Sequence, residues 1–137
     1  MKKHLFIPVL LLFIVLIGAC KKDSDSSPPA TDTSLSAIVI DFPTAGTLYI
    51  NGSSITITGT IVDNDNLNQA RVEIRNKITN AIYNQQQSST GTVSFYRFTW
   101  NWTVAGITGP TQGTVKIISK DKNGFEVSKQ VDILLDN

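Results

Sequence analysis

The 137-residue sequence has a single cysteine and a single histidine. Both lie in or beside an apolar run at the N-terminus, as His4 and Cys20. The chain beyond Cys20 therefore has neither an imidazole nor a thiol. This excludes Ser-His-Asp and Cys-His nucleophilic sites there, and with them Cys/His zinc sites and structural disulfides. A dominant charge is also lacking. With Lys2 and Lys3 set aside, 10 Lys+Arg stand against 11 Asp+Glu, so no basic face is large enough to hold nucleic acid. No pattern calls for a cofactor, and the inventory argues against an enzyme.

What is present begins with an address. Met1-Lys2-Lys3-His4 is a short basic start, and Leu5 to Ile17 is almost wholly apolar, interrupted only by Pro8. A bilayer-spanning helix needs about 20 apolar residues, so this run fits the core of a signal peptide better. It ends in Ile17-Gly18-Ala19-Cys20: a branched apolar residue, two small residues, then the only cysteine. These four residues resemble the lipobox of bacterial lipoproteins. The resemblance implies diacylglyceryl transfer to the Cys20 thiol, cleavage after Ala19 and acylation of the new N-terminus, which makes membrane lipid a partner.

Residues 1–19 thus read as a lipoprotein signal peptide and 20–33 as the lipidated Cys20 with a flexible tether. Lys21 to Thr33, KKDSDSSPPATDT, is polar, charged and proline-rich, too poor in apolar side chains to offset its ordering entropy. Thirteen such residues reach about 20 Å. Lys21-Lys22-Asp23-Ser24-Asp25 resembles the stretch that sends Bacteroidota-type lipoproteins to the outer face of the outer membrane. That implies cell-surface exposure, with a periplasm-facing position as the alternative.

Residues 34–137 read as one all-β domain. No useful helical period occurs, and alternation with period two recurs between turn residues. Ile38, Ile40 and Phe42 alternate. Thr47 to Ile50 is a short strand, and Asn51-Gly52 a strong hairpin turn. Ile55, Ile57, Gly59 and Ile61 share one face. Asp63 to Asn66 reads as a loop. Ala70, Val72 and Ile74 alternate with Arg71, Glu73 and Arg75, which separates inside from outside. Ala81 to Gln87 is a polar strand expected at a sheet edge. Val93 to Val104 reads as the longest strand, and Thr114 to Asp121 and Phe125 to Leu135 flank the Lys122-Asn123-Gly124 turn.

About seven strands in roughly 100 residues predict an immunoglobulin-like antiparallel β-sandwich. Gly59-Thr60-Ile61-Val62-Asp63-Asn64, Leu67 and Val72-Glu73-Ile74, then Phe98-Thr99-Trp100, Gly113 to Ile117 and Asp121 to Gly124, are similar to bacterial Ig-like domains. With the lipobox and tether they resemble an uncharacterised Bacteroidota-type lipoprotein family. The resemblance implies a fold and no activity.

Four candidate sites emerge. Tyr96, Phe98, Trp100, Trp102 and Val104 share one face of a strand. Burial of Phe98 and Trp100 in the core is the expectation, with Tyr96 and Trp102 near the two ends. An exposed Trp102, with Tyr96, would make a flat platform for a sugar ring. Asp63, Asp65, Asp121 and Asn123 are predicted at one end of the sandwich, where their oxygens suit calcium, although Asp and Asn are also the ordinary residues of turns. Glu73, between Arg71 and Arg75, reads as a surface carboxylate rather than half of a hydrolytic pair. The loop 105–113, with 77–80 and 51–54, is expected at the end away from the tether, where a partner would bind. The sequence therefore points to a membrane-anchored, non-catalytic adhesion or protein-interaction module. The alternative is a carbohydrate-binding accessory lipoprotein.

Overall fold

The structure, a computed structural model, describes residues 35–137, without the side chains of Asp65 and Thr92. The expected signal peptide, Cys20 and the tether lie outside the described residues.

Six strands follow one another: β1 (Ala37–Phe42), β2 (Leu48–Ile50), β3 (Ser54–Asn76), β4 (Ile82–Thr103), β5 (Thr111–Asp121) and β6 (Glu126–Asp136). The fold is the expected immunoglobulin-like β-sandwich, but the count differs from seven because β3 and β4 each serve both layers. The first half of β3 pairs antiparallel with β1, Ile38 opposite Ile61, and with the second half of β4, Ile57 opposite Trp100. These three segments form one layer. The second half of β3 pairs with the first half of β4, Val72 opposite Gln86, and with β5, Val72 opposite Ile117. Strand β6 adds antiparallel to β5, and β2 closes that layer by pairing parallel to β6, Leu48 opposite Leu134, so the sheet is mixed where an antiparallel one was expected.

The expected loop at Asp63–Asn66 is instead a corner inside the 23-residue β3. The register shifts between Val62 and Leu67, and Asn66 takes φ 83°, a left-handed conformation that asparagine tolerates better than most residues. The strand bends there and changes layers: the ladder runs to Val62 and resumes at Leu67, as at an extended bulge. Likewise the segment 93–104 is the second half of β4, continuous with the polar strand before it. The expected edge position of that polar strand is correct, since only β3 pairs with it.

The core lies between the layers. Ile55, Ile57, Ile61 and Phe98 from one face Val72, Ile74, Val115, Ile117 and Ile133 from the other, all with at most 1% exposure. Phe98 and Trp100 stack at 4.8 Å between centroids. Gly59 is required by this packing. A Cβ there would overlap the Val39 carbonyl oxygen of β1 and the Phe98 ring, so β1 and the core aromatic both close onto bare backbone.

Candidate functional sites

At the end where the described chain begins, Ser36 Oγ donates to Asp63 Oδ2 at 2.5 Å, and both residues are buried. The Lys122 amide donates to the Asn66 carbonyl at 3.2 Å, so the β3 corner and the β5–β6 turn meet as expected. Asp121 is 3% exposed and accepts from the Phe125 amide at 2.8 Å, which is the chemistry of a tight turn. Asn123 is exposed. The side chain of Asp65 lies outside the described ones. Among the described residues no three His, Cys, Asp or Glu side chains gather as a metal site would need.

The aromatic face of β4 points inward along its whole second half. Trp102 is only 8% exposed, and its ring stacks on Tyr83 from the first half of the same strand at 6.2 Å and 15°. The Tyr83 hydroxyl accepts from Asn76 Nδ2 at 3.0 Å. Tyr96 is half-buried against the core. The alternative of an exposed platform is therefore not met at Trp102: its ring closes the side of the sandwich between the two halves of β4. Nearby, Gln86 Nε2 crosses the same gap and donates to the Asn101 carbonyl at 2.8 Å.

Far from the entry end the three predicted connections do gather. The Gly52 amide donates to the Val104 carbonyl, and the Val104 amide to the Ser53 carbonyl, both at 2.9 Å. Asn51 Nδ2 donates to the Ile107 carbonyl at 2.7 Å, and the Ile107 amide returns to Asn51 Oδ1 at 3.3 Å. The Lys77 amide donates to the Gln112 carbonyl at 2.9 Å. Asn51 thus acts as a side-chain strut, and Asn51-Gly52 is a turn between the layers and not the expected hairpin, since β2 pairs with β6 and not with β3.

No family model matches the sequence, and no curated protein matches it closely. Several solved structures are similar to it. A fibronectin(III)-like module of Clostridium thermocellum CbhA has 20% identity and a TM-score of 0.48, with 72% of this chain and 94% of the module covered. The Escherichia coli chaperone DraB has 10% identity and a TM-score of 0.45, covering 73% of this chain and 54% of its own. The sporulation control protein Spo0M of Bacillus subtilis has 12% identity and a TM-score of 0.40, covering 76% and 49%.

The feature least visible in the sequence is the outer face of the larger layer. Glu73 points outward by strand parity, yet its side chain is only 4% exposed. Arg71 Nε lies 3.1 Å from Glu73 Oε1, and Arg75 holds Oε2 through Nε at 2.8 Å and Nη2 at 2.6 Å. Two long side chains from positions i−2 and i+2 fold over the carboxylate and cover it. Lys116 stands directly across from Glu73 in the register. Beside Lys116 are two open hollows that share Arg75. One, of about 270 Å³, includes Arg71, Ile118, Glu126 and Ser128. The other, of about 280 Å³, reaches toward the far-end connection 77–80 and includes Asn76, Thr114 and Gln130.

The ion pair at the margin of the second hollow is well formed. Lys77 Nζ lies 2.6 Å from Asp132 Oδ2, and Thr114 Oγ1 donates to Asp132 Oδ1 at 3.1 Å. The Lys77 hydrogen bond, with a smaller contribution from Thr114, holds the Asp132 carboxyl below its ordinary value.

Proposed function

We propose that this chain is a non-catalytic interaction module of the bacterial cell envelope. It is held on the outer membrane by acyl chains on Cys20 and presents the far end of its sandwich to a partner. The observation that carries this reading is the separation of the two ends. The described chain enters beside the buried Ser36–Asp63 hydrogen bond, and the connections braced by Asn51 and Lys77 lie at the opposite end. Loops on a rigid sheet scaffold are the usual seat of recognition. The lipobox-like Ile17-Gly18-Ala19-Cys20 supports the anchor, and more than one acyl chain gives stable attachment where a single one is marginal. The carboxylates most suited to chemistry have structural work: Asp63 with Ser36, Asp121 with the Phe125 amide, and Glu73 with two arginines.

Two measurements test this reading. Metabolic labelling with a palmitate analogue should mark the wild-type chain and not Cys20→Ala; label retained in the variant overturns the anchor. A photo-crosslinking residue at Thr108 should give partner adducts in living cells, and one at Lys122 should not. Adducts only from Lys122, or none from Thr108, overturn the far-end assignment.

A further inference from the structure

We infer that the hollow beside Lys116 is a binding site for a carboxylate-bearing sugar, such as a uronic acid within an acidic polysaccharide. The inference rests on the reading of the far end as the recognition end, and names the ligand class that end would take.

The first support is the composition of the hollow. Arg75, Lys77 and Lys116 line it, the first two in ion pairs and Lys116 in none among the described residues, and Asn80, Thr114 and Gln130 bring amides and a hydroxyl; no acid, aromatic or aliphatic side chain lines it. Two carboxylates border it: Glu73 is held by Arg71 and Arg75, and Asp132 by Lys77 and Thr114. Counting the paired groups, Arg71, Arg75, Lys77 and Lys116 stand against Glu73 and Asp132, a local positive excess in a chain that is close to neutral past residue 19.

The second support is preorganisation. Arg75 is tied to Glu73 by two contacts through Nε and Nη2, which fixes the guanidinium plane and leaves its Nη1 edge for another acceptor. Holding a guanidinium in place before binding lowers the ordering cost of using it. Lys116 forms no ion pair among the described residues and is shared by both hollows. A carboxylate placed between Arg75 and Lys116 would receive charge-assisted hydrogen bonds, which are roughly twice as strong as neutral ones.

The third support separates a sugar from an acidic peptide. A peptide segment draws much of its affinity from apolar and aromatic anchors set in pockets, and this hollow has no apolar side chain to receive one. Sugar hydroxyls donate and accept at once, as do the amides of Asn80 and Gln130. Neutral sugars usually stack on an aromatic ring, and here Trp102 and Tyr83 stack on each other instead. Charge must therefore supply the affinity, which selects a sugar acid.

Calorimetry on the full chain in detergent, with a defined oligogalacturonate as probe, tests this. Binding at least tenfold tighter than to a neutral oligosaccharide of equal length is expected, weakening as salt is raised. Lys116→Glu should weaken it by tenfold or more, and Lys122→Glu, the same charge change at the entry end, should leave it unchanged. Retained far-UV circular dichroism in both variants keeps the comparison valid. No binding at millimolar oligogalacturonate overturns the inference, as does equal loss in both variants. Equal affinity for poly-glutamate also overturns it, in favour of an acidic protein. Thr108 lies outside the hollow, so crosslinks from Thr108 without oligogalacturonate binding would refute the ligand class and leave the far-end reading standing.

Discussion

Glu73 shows how a single charged residue can be read correctly in direction and wrongly in environment. Alternation with Val72 and Ile74 places it outward, and it does point outward. Its burial comes from Arg71 and Arg75 lying over it, and the reach of two flexible side chains does not show in a pattern of residue types. Removing the carboxylate strands two guanidiniums on a crowded face. Glu73→Ala should lower stability by about 3 kcal/mol in urea unfolding, at the lower end for broken buried pairs because both arginines keep some water contact. Gly59 was legible as a member of the inward face but not as a necessity, which depends on where β1 and Phe98 lie. Gly59→Ala should cost about 3 kcal/mol or more, or prevent folding, because the clash involves backbone. Asp132 carries a pH dependence. Its carboxyl is held below the ordinary value, chiefly by Lys77, so its contribution to stability is full above the ordinary aspartate range and is lost as pH falls through the lowered value. In Lys77→Ala the Asp132 titration, followed by carbon NMR, should move up toward that ordinary range.

At the scale of elements, β4 is the most instructive. Its second half was legible as an inward aromatic strand, and Phe98 and Trp100 are where that pattern puts them. The fate of Trp102 was not legible because its partner, Tyr83, sits on the other layer and reaches it only once β4 has crossed over. Trp102→Ala should cost about 3–5 kcal/mol, the usual range for truncating a buried large aromatic, and Trp102→Phe distinctly less; thermal unfolding of the two variants gives the comparison. The same crossing explains Gln86. As a polar residue in an edge strand it looked like plain solvent-facing sequence, yet its amide caps the Asn101 carbonyl on the open edge of the smaller layer. Edge strands with unmet carbonyls invite pairing with other chains. Gln86→Leu should cost about 1 kcal/mol and raise self-association measured by sedimentation.

For the whole molecule, the sandwich and the grouping of its connections followed from turn chemistry and alternation. The joining of predicted strands into β3 and β4 did not, because Asp63–Asn66 has the composition of a loop and the geometry of a bent strand. One consequence of the layout concerns mechanical load. The described chain enters at one end, and its last residues lie beside Asn51 at the other, where the Asn51 amide bonds the Asp136 carbonyl. Under the proposed anchorage, a partner tugging on the far end would stretch the domain along its strands. The antiparallel β1–β3 pairing and the parallel β2–β6 pairing would then slide in shear, with their bonds loaded together, instead of unzipping one at a time. A tether at one end and a ligand at the other would make this small domain a link that transmits tension.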